Sequence, residues 1–129
     1  HMLTHSLHYG LAVFEGIRVY ETPSGSRVFR LRDHMTRMYN SARLYRIGIP
    51  YDQPTLEAAC RQAVVANGLD RGAYLRPIAF RGMAGLGLAA PADSPVDVAI
   101  AAIATVSPKA SGLRLTEPLE KAPAKTCSS

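Results

Sequence analysis

The chain has 129 residues, a hydrophobic fraction of 47% and a formal net charge of +5. This length and this hydrophobic fraction allow one domain with a packed core of ordinary size. No apolar run approaches the roughly 18 residues of a membrane span, and the arginines are scattered without a Lys/Arg block, so neither a membrane nor a nucleic-acid partner is predicted.

Side chains that could hold a metal or form a disulfide framework are few. Cys60 and Cys127 fit neither a disulfide set nor a metal knuckle, so a reducing cytoplasm is the expected location. His5 and His8 are three positions apart, but no second pair of ligands accompanies them. No metal site is therefore predicted.

The first half of the chain predicts a β-hairpin followed by a helix. Residues 13–22 and 26–31 are short segments rich in Val, Phe, Ile and Tyr, and Thr-Pro-Ser-Gly separates them. Asp33 follows as a candidate N-cap, and apolar residues then recur at helical spacing. The pattern predicts a helix from about 33 to 45.

A second helix and a strand come next. Asp52 or Gln53 can cap the helix, and Pro54 stands in its first turn, where proline is favourable. Residues 73–81 alternate between apolar and polar and predict a strand, and Pro77 within it is typical of a strand at the edge of a sheet.

The last predicted strand is apolar throughout. Residues 96–105 predict a buried strand, whereas residues 106–129 contain prolines without periodicity and predict a loosely ordered tail. The order β-β-α-α-β-β predicts an α+β fold, an antiparallel sheet with two helices packed on one side.

Three polar residues are candidates for binding an anion. Arg46 stands at the end of the first predicted helix, where an arginine suits either the helix dipole or a phosphate. Tyr74 and Arg76 share one strand face because side chains at i and i+2 point the same way. A hydroxyl beside a guanidinium makes a carboxylate receptor, although an exposed polar face explains the spacing equally well.

The stretch Leu-His-Tyr-Gly-x-x-Val-Phe-Glu-Gly-Ile-Arg at 7–18 resembles the signature of the branched-chain amino acid aminotransferases. These are pyridoxal-phosphate enzymes of fold type IV. The likeness continues in order through Arg-Asp-His-Met-x-Arg-Met at 32–38, Ser-Ala-Arg-Leu-Tyr-Arg at 41–46 and Tyr-Leu-Arg-Pro at 74–77. It covers roughly residues 4–105.

The resemblance implies a place in the enzyme and a set of roles. Residues 1–105 are expected to be the small N-terminal domain, incomplete at its start. Arg46 is implied to hold the cofactor phosphate, and Arg76 to receive the side-chain carboxylate of glutamate. The substrate pocket is implied to be lined by Tyr9, Phe14, Tyr74 and Leu88. Tyr9 and the loop of Leu88 would reach the neighbouring subunit's site, so a homodimer or larger assembly is expected.

The implied reaction transfers an amino group between Leu, Ile or Val and 2-oxoglutarate, a 2-oxo acid. It needs the family's large domain, whose lysine forms a Schiff base with the cofactor. That domain is not found in the sequence, so we expect this chain to be an inactive fragment without a catalytic residue. Lys109, in Pro-Lys-Ala-Ser-Gly, resembles the lysine's neighbourhood but comes too early, and coincidence is the preferred interpretation.

Three alternatives stay open. Fold type IV also includes D-amino-acid aminotransferases and aminodeoxychorismate lyase, although the motifs at 14–18 and 74–77 favour the branched-chain group. A non-catalytic domain could instead associate with itself or with a full-length partner through the apolar strand at 96–105. A basic nucleic-acid binder is the third, and salt-sensitive retention on heparin would reveal it.

Overall fold

The computed structural model describes residues 1–69, 71–84 and 87–105, together with the backbone of residues 117–118. An antiparallel sheet packs against two long helices, which confirms the predicted α+β class. The elements are α1 (His5–Tyr9), β1 (Ala12–Phe14), β2 (Ile17–Tyr20), β3 (Arg27–Val28), α2 (Leu31–Leu44), α3 (Gln53–Ala66), β4 (Ala73–Arg81), β5 (Val96–Ala104) and β6 (Glu117–Pro118).

β1 and β2 form one line along the same side of β4. Their registers with β4 are continuous across residues 15 and 16. The backbone N–H of Glu15 donates to the Pro77 carbonyl at 3.0 Å, but proline has no N–H to donate in return. Only one hydrogen bond is therefore missing between the end of β1 and the beginning of β2. The side chains continue to alternate between the two sheet faces across this gap.

The prediction that Pro77 marks an edge strand is wrong. β4 has β1 and β2 on one side and β5 on the other. The backbone N and O of one strand residue point to the same side, so proline removes a bond toward Glu15 and none toward β5. A central strand tolerates Pro77 because its cost is confined to one position.

The core lies between one face of the sheet and the two long helices. Leu75 from β4, Met35 and Met38 from α2 and Cys60 from α3 are fully buried there. Burial raises the pKa of the Cys60 thiol to about 12, so Cys60 is an apolar side chain at neutral pH.

Both long helices are confirmed, with one difference in capping. α2 begins at Leu31, and Asp33, the predicted N-cap, lies in its first turn, where it accepts a hydrogen bond from Arg30 Nε at 2.6 Å. α3 begins as predicted, because the Asp52 carboxylate accepts a hydrogen bond from the Thr55 N–H at 2.9 Å.

The prediction of a buried strand at 96–105 is wrong in its burial. β5 ends at Ala104, and partly buried and exposed residues alternate along it. Among the described strands β5 pairs only with β4, and one of its faces, with Ile100, packs against the core while apolar Ile103 on the other face is exposed. The predicted tail 106–129, with Lys109, lies outside the described residues, except that the backbone of β6 pairs with β3.

α1 was not predicted from the sequence. It has five residues, and Gly10 ends it in the left-handed conformation at φ 70°. A helix of one turn carries too few residues to show an apolar period. In the described part of the chain, none of the helices is long and apolar enough to span a membrane.

Candidate active site

Phe14, Tyr74 and Arg76 meet on the sheet face opposite the core, and we call them the Arg76 cluster. Arg76 Nη2 donates to the Tyr74 hydroxyl at 2.6 Å. The guanidinium carbon lies 4.3 Å from the Phe14 ring centroid and 5.3 Å from the Tyr74 centroid. The predicted placement of Tyr74 and Arg76 on one face is confirmed, and aromatic rings flank the cation.

Gly16 provides the space that the Tyr74 phenol occupies. A Cβ at position 16 would overlap the Tyr74 hydroxyl and lie 3.0 Å from its Cζ. Sequence reasoning missed this role. A glycine between strand residues such as Glu15 and Ile17 was the available signal, because it often marks a close approach.

Arg76 has donors left for a ligand. Its Nε is buried and has no hydrogen-bond partner among the described residues. A buried donor without a partner is costly, and the planar guanidinium matches a carboxylate through two parallel bonds. The cluster thus offers an anion receptor next to the ring of Phe14. Phe14 is 55% exposed, so this side of the cluster is open.

On the other sheet face, Glu15 is a carboxylate with 4% exposure that two residues of α2 contact. Arg37 donates to it through Nε at 2.7 Å and Nη2 at 2.5 Å, and His34 Nδ1 lies 2.9 Å away. Burial alone raises the pKa of the Glu15 carboxyl, but the bonds with Arg37 and His34 outweigh burial and lower that pKa below its usual value.

A cavity of about 340 Å³ lies beside this ion pair, lined by Phe29, Arg30, Asp33, His34 and Arg37. The Arg37 side chain is 67% exposed although Glu15 holds one edge of its guanidinium. Asp33 pairs with Arg30 at 2.6 Å, so Arg37 and His34 are the lining residues that suit an anionic group such as a phosphate. The sequence signal for this site was Glu15, an acidic residue at an inward position between the apolar residues Val13 and Ile17.

Arg46 lies elsewhere. It follows α2 with φ 53°, its side chain is exposed, and its carbonyl accepts a hydrogen bond from Arg81 Nη2 at 2.7 Å. Arg81 is five residues beyond Arg76 on β4, roughly 17 Å along the strand. The structure does not bring Arg46 to the Arg76 cluster, whereas Glu15, next to Phe14 in the chain, contacts Arg37.

Tyr9 and Leu88 form a second group near α1. The Tyr9 ring centroid lies 4.6 Å from that of His5, and His5 Nε2 lies 3.0 Å from the carbonyl of Gly87, the neighbour of Leu88. The backbone N–H of His5 also donates to the carbonyl of Gly82, which follows the end of β4 and lies six residues, about 20 Å of extended chain, beyond Arg76. The predicted pocket residues thus fall into two separate groups.

Metal ligands do not converge in the part of the chain that the structure describes. Within residues 1–69, 71–84 and 87–105, no group of three or more His, Cys, Asp or Glu side chains could hold a metal ion.

The sequence profile of the family described as Amino-transferase class IV matches residues 12–128. The chain belongs to the class IV aminotransferases. The family resemblance predicted from the motifs is confirmed, and the Arg76 cluster lies within the segment that the profile matches.

Several branched-chain amino acid aminotransferases are similar to this class IV aminotransferase chain. One from Pseudomonas aeruginosa is 48% identical over 90 residues, which are 70% of this chain and 29% of that relative. A solved structure from Escherichia coli has a TM-score of 0.77 and 45% identity over 80% of this chain and 34% of that one. A solved structure from Thermobaculum terrenum, in its PLP form, has a TM-score of 0.67 and 28% identity over 74% of this chain and 32% of that one.

The relatives are longer than this chain. It spans about one third of the length of the curated relatives that it matches. The class IV aminotransferase segment described here corresponds to a part of each relative, with the same α+β fold.

Proposed function

We propose that the chain is the small domain of a branched-chain amino acid aminotransferase that exchanges amino groups between Leu, Ile or Val and 2-oxoglutarate. The Arg76 cluster carries this proposal. One pocket must accept aliphatic and acidic side chains in turn, which requires an apolar wall and a cation at the same place. Phe14 supplies the wall, and the guanidinium of Arg76, whose Nε has no partner among the described residues, supplies the carboxylate receptor.

The test of the reaction uses the complete reading frame that contains this chain. We expect amino transfer from L-leucine to 2-oxoglutarate, with L-leucine turned over faster than D-alanine. Coupled measurement of both donors at equal concentrations decides this. Faster turnover of D-alanine would move the assignment to the D-amino-acid aminotransferases, and no transfer from either donor would contradict the proposed reaction.

Pyridoxal phosphate fits the cavity beside Arg37. When bound, it supplies the electron sink that amino-group transfer requires. Glu15 fixes one edge of the Arg37 guanidinium and leaves the rest exposed, so the cation is oriented before a phosphate arrives. The resemblance assigned the phosphate to Arg46, and the exposed position of Arg46 beside Arg81 gives it no such orientation.

The two assignments predict opposite results for a pair of substitutions in the complete protein. We expect Arg37→Met to weaken binding of pyridoxal phosphate about tenfold, because one charge-assisted hydrogen bond to phosphate is lost. We expect Arg46→Met to change it less than twofold. Absorbance titration of the cofactor measures both variants, and the reverse order would restore Arg46 as the phosphate residue.

The separation of Tyr9 and Leu88 from the Arg76 cluster supports a homodimer or larger assembly. If two subunits line one substrate pocket, the residues that face a subunit's own pocket and those that face its partner's pocket lie on different parts of the chain. Apolar side chains around α1 are exposed in this chain, including Leu7 at 67%, Met83 at 56% and Leu88 at 87%. We expect at least a dimeric mass by light scattering at tens of micromolar, and a monomeric mass would contradict a shared pocket.

A further inference from the structure

His5 is a buried side chain that joins α1 to the loop after β4. It is 1% exposed, and its backbone N–H donates to the Gly82 carbonyl at 2.8 Å. Its ring Nε2 lies 3.0 Å from the Gly87 carbonyl. Because a carbonyl only accepts, Nε2 carries the proton and donates it. Thr4 and Met83 form a β-bridge beside these bonds, so the two segments run together.

The same imidazole also contacts Tyr9. The two ring centroids are 4.6 Å apart at an interplanar angle of 42°, and Tyr9 follows His5 by four positions, one turn of α1. Leu88 follows directly after the carbonyl that His5 binds. One side chain therefore sets the positions of both residues that the neighbouring subunit's pocket would receive.

The other ring nitrogen shows what this histidine provides. His5 Nδ1 is buried and has no partner among the described residues. A buried nitrogen without a partner costs stability, so a phenylalanine would fill the position at lower cost if packing alone mattered. What phenylalanine would lack is the Nε2 donor to Gly87.

We propose that His5 is a positioning residue that fixes Tyr9 and Leu88 relative to each other and thereby sets the affinity of the shared pocket for aliphatic substrates. The inference rests on the proposed function, from which it takes the substrate and the shared pocket. It adds the residue on which the geometry of that pocket wall depends.

Three variants of the complete protein distinguish the effect of the Nε2 hydrogen-bond donor of His5 from the effect of its aromatic ring. His5→Phe keeps an aromatic ring beside Tyr9 and removes the donor, whereas His5→Gln keeps an amide donor close to the position of Nε2. His8→Phe is the matched control, because His8 lies on the same helix and is exposed. It keeps an aromatic ring where the His8 ring lies, 6.0 Å from that of Tyr9, and removes only the hydrogen bond with the Met2 carbonyl, at 2.7 Å.

Hydrogen exchange of amides in residues 82–84 and 87–90 measures how firmly these parts of the loop are held. We expect exchange about fivefold faster in His5→Phe and close to the unaltered rate in His5→Gln and His8→Phe. Amides of α3 serve as the internal standard and should not change. An unchanged loop rate in His5→Phe would overturn the proposal, and so would an equal increase in α3.

Steady-state kinetics then measure the affinity of the pocket for substrate. In His5→Phe we expect the KM for L-leucine to rise about fivefold while kcat changes less than twofold, and His5→Gln should restore the KM. A faster loop with an unchanged leucine KM would overturn the role in substrate affinity. If the unaltered protein transfers no amino group, the proposed function fails, while the exchange rates still decide whether His5 positions the loop.

Discussion

Replacing Arg76 with leucine is expected to lower kcat/KM for 2-oxoglutarate about 100-fold or more, while the L-leucine half-reaction stays within about threefold. The acidic substrate loses its only charged partner in the Arg76 cluster and must leave its carboxylate in a desolvated pocket. An aliphatic substrate needs the wall that Phe14 supplies, and a leucine at 76 leaves that wall apolar. Stopped-flow spectra of the two half-reactions of the complete protein measure the difference.

A matched control removes a charge without touching the cluster. Arg71 is an exposed arginine in the turn before β4, and Arg71→Leu should leave both half-reactions unchanged. Equal losses of both half-reactions in Arg76→Leu would show that the guanidinium supports the fold or the whole site. In that case the carboxylate assignment would be wrong.

Adding one methyl group at Gly16 is expected to lower kcat/KM for 2-oxoglutarate about 30-fold. The new Cβ would overlap the Tyr74 hydroxyl, so the hydroxyl must move away. It can do so because it is the far end of a flexible side chain. Arg76 Nη2 then loses its bond to that hydroxyl, and the cation loses its orientation for a carboxylate. Half-reaction kinetics of Gly16→Ala give the effect on each substrate.

Gly48 provides the comparison, since a Cβ built there meets no atom within 4 Å. Gly48→Ala should keep the kinetics of the unaltered protein, and thermal unfolding should show both variants folded. If Gly16→Ala kept full activity toward 2-oxoglutarate, the bond between Tyr74 and Arg76 would have no part in binding the carboxylate.

The parts of the fold that the sequence predicted are those with local signals. β4 was predicted at its observed bounds because apolar and polar residues alternate along it, and the alternation also placed Tyr74 beside Arg76. α3 was predicted from Asp52 and Pro54, which act within one turn of the helix start.

The parts that were missed depend on distant residues. Glu15 and Arg37 are 22 positions apart, and no local pattern shows that β1 brings the carboxylate under α2. The family resemblance implies Arg46 as the phosphate residue and the cavity suggests Arg37, and sequence motifs alone carry no distances that would choose between the two arginines. The burial of β5 likewise depends on what covers each face, which composition alone does not tell.

The unbroken register of β1 and β2 limits how this protein can change its length. Phe14 and Gly16 lie on the substrate side, whereas Glu15 lies on the core side. Inserting or deleting one codon between them would exchange the two faces, placing an aromatic ring among the helices and a carboxylate beside Arg76. Evolution or engineering can therefore change this nine-residue line from Ala12 to Tyr20 only by substitution.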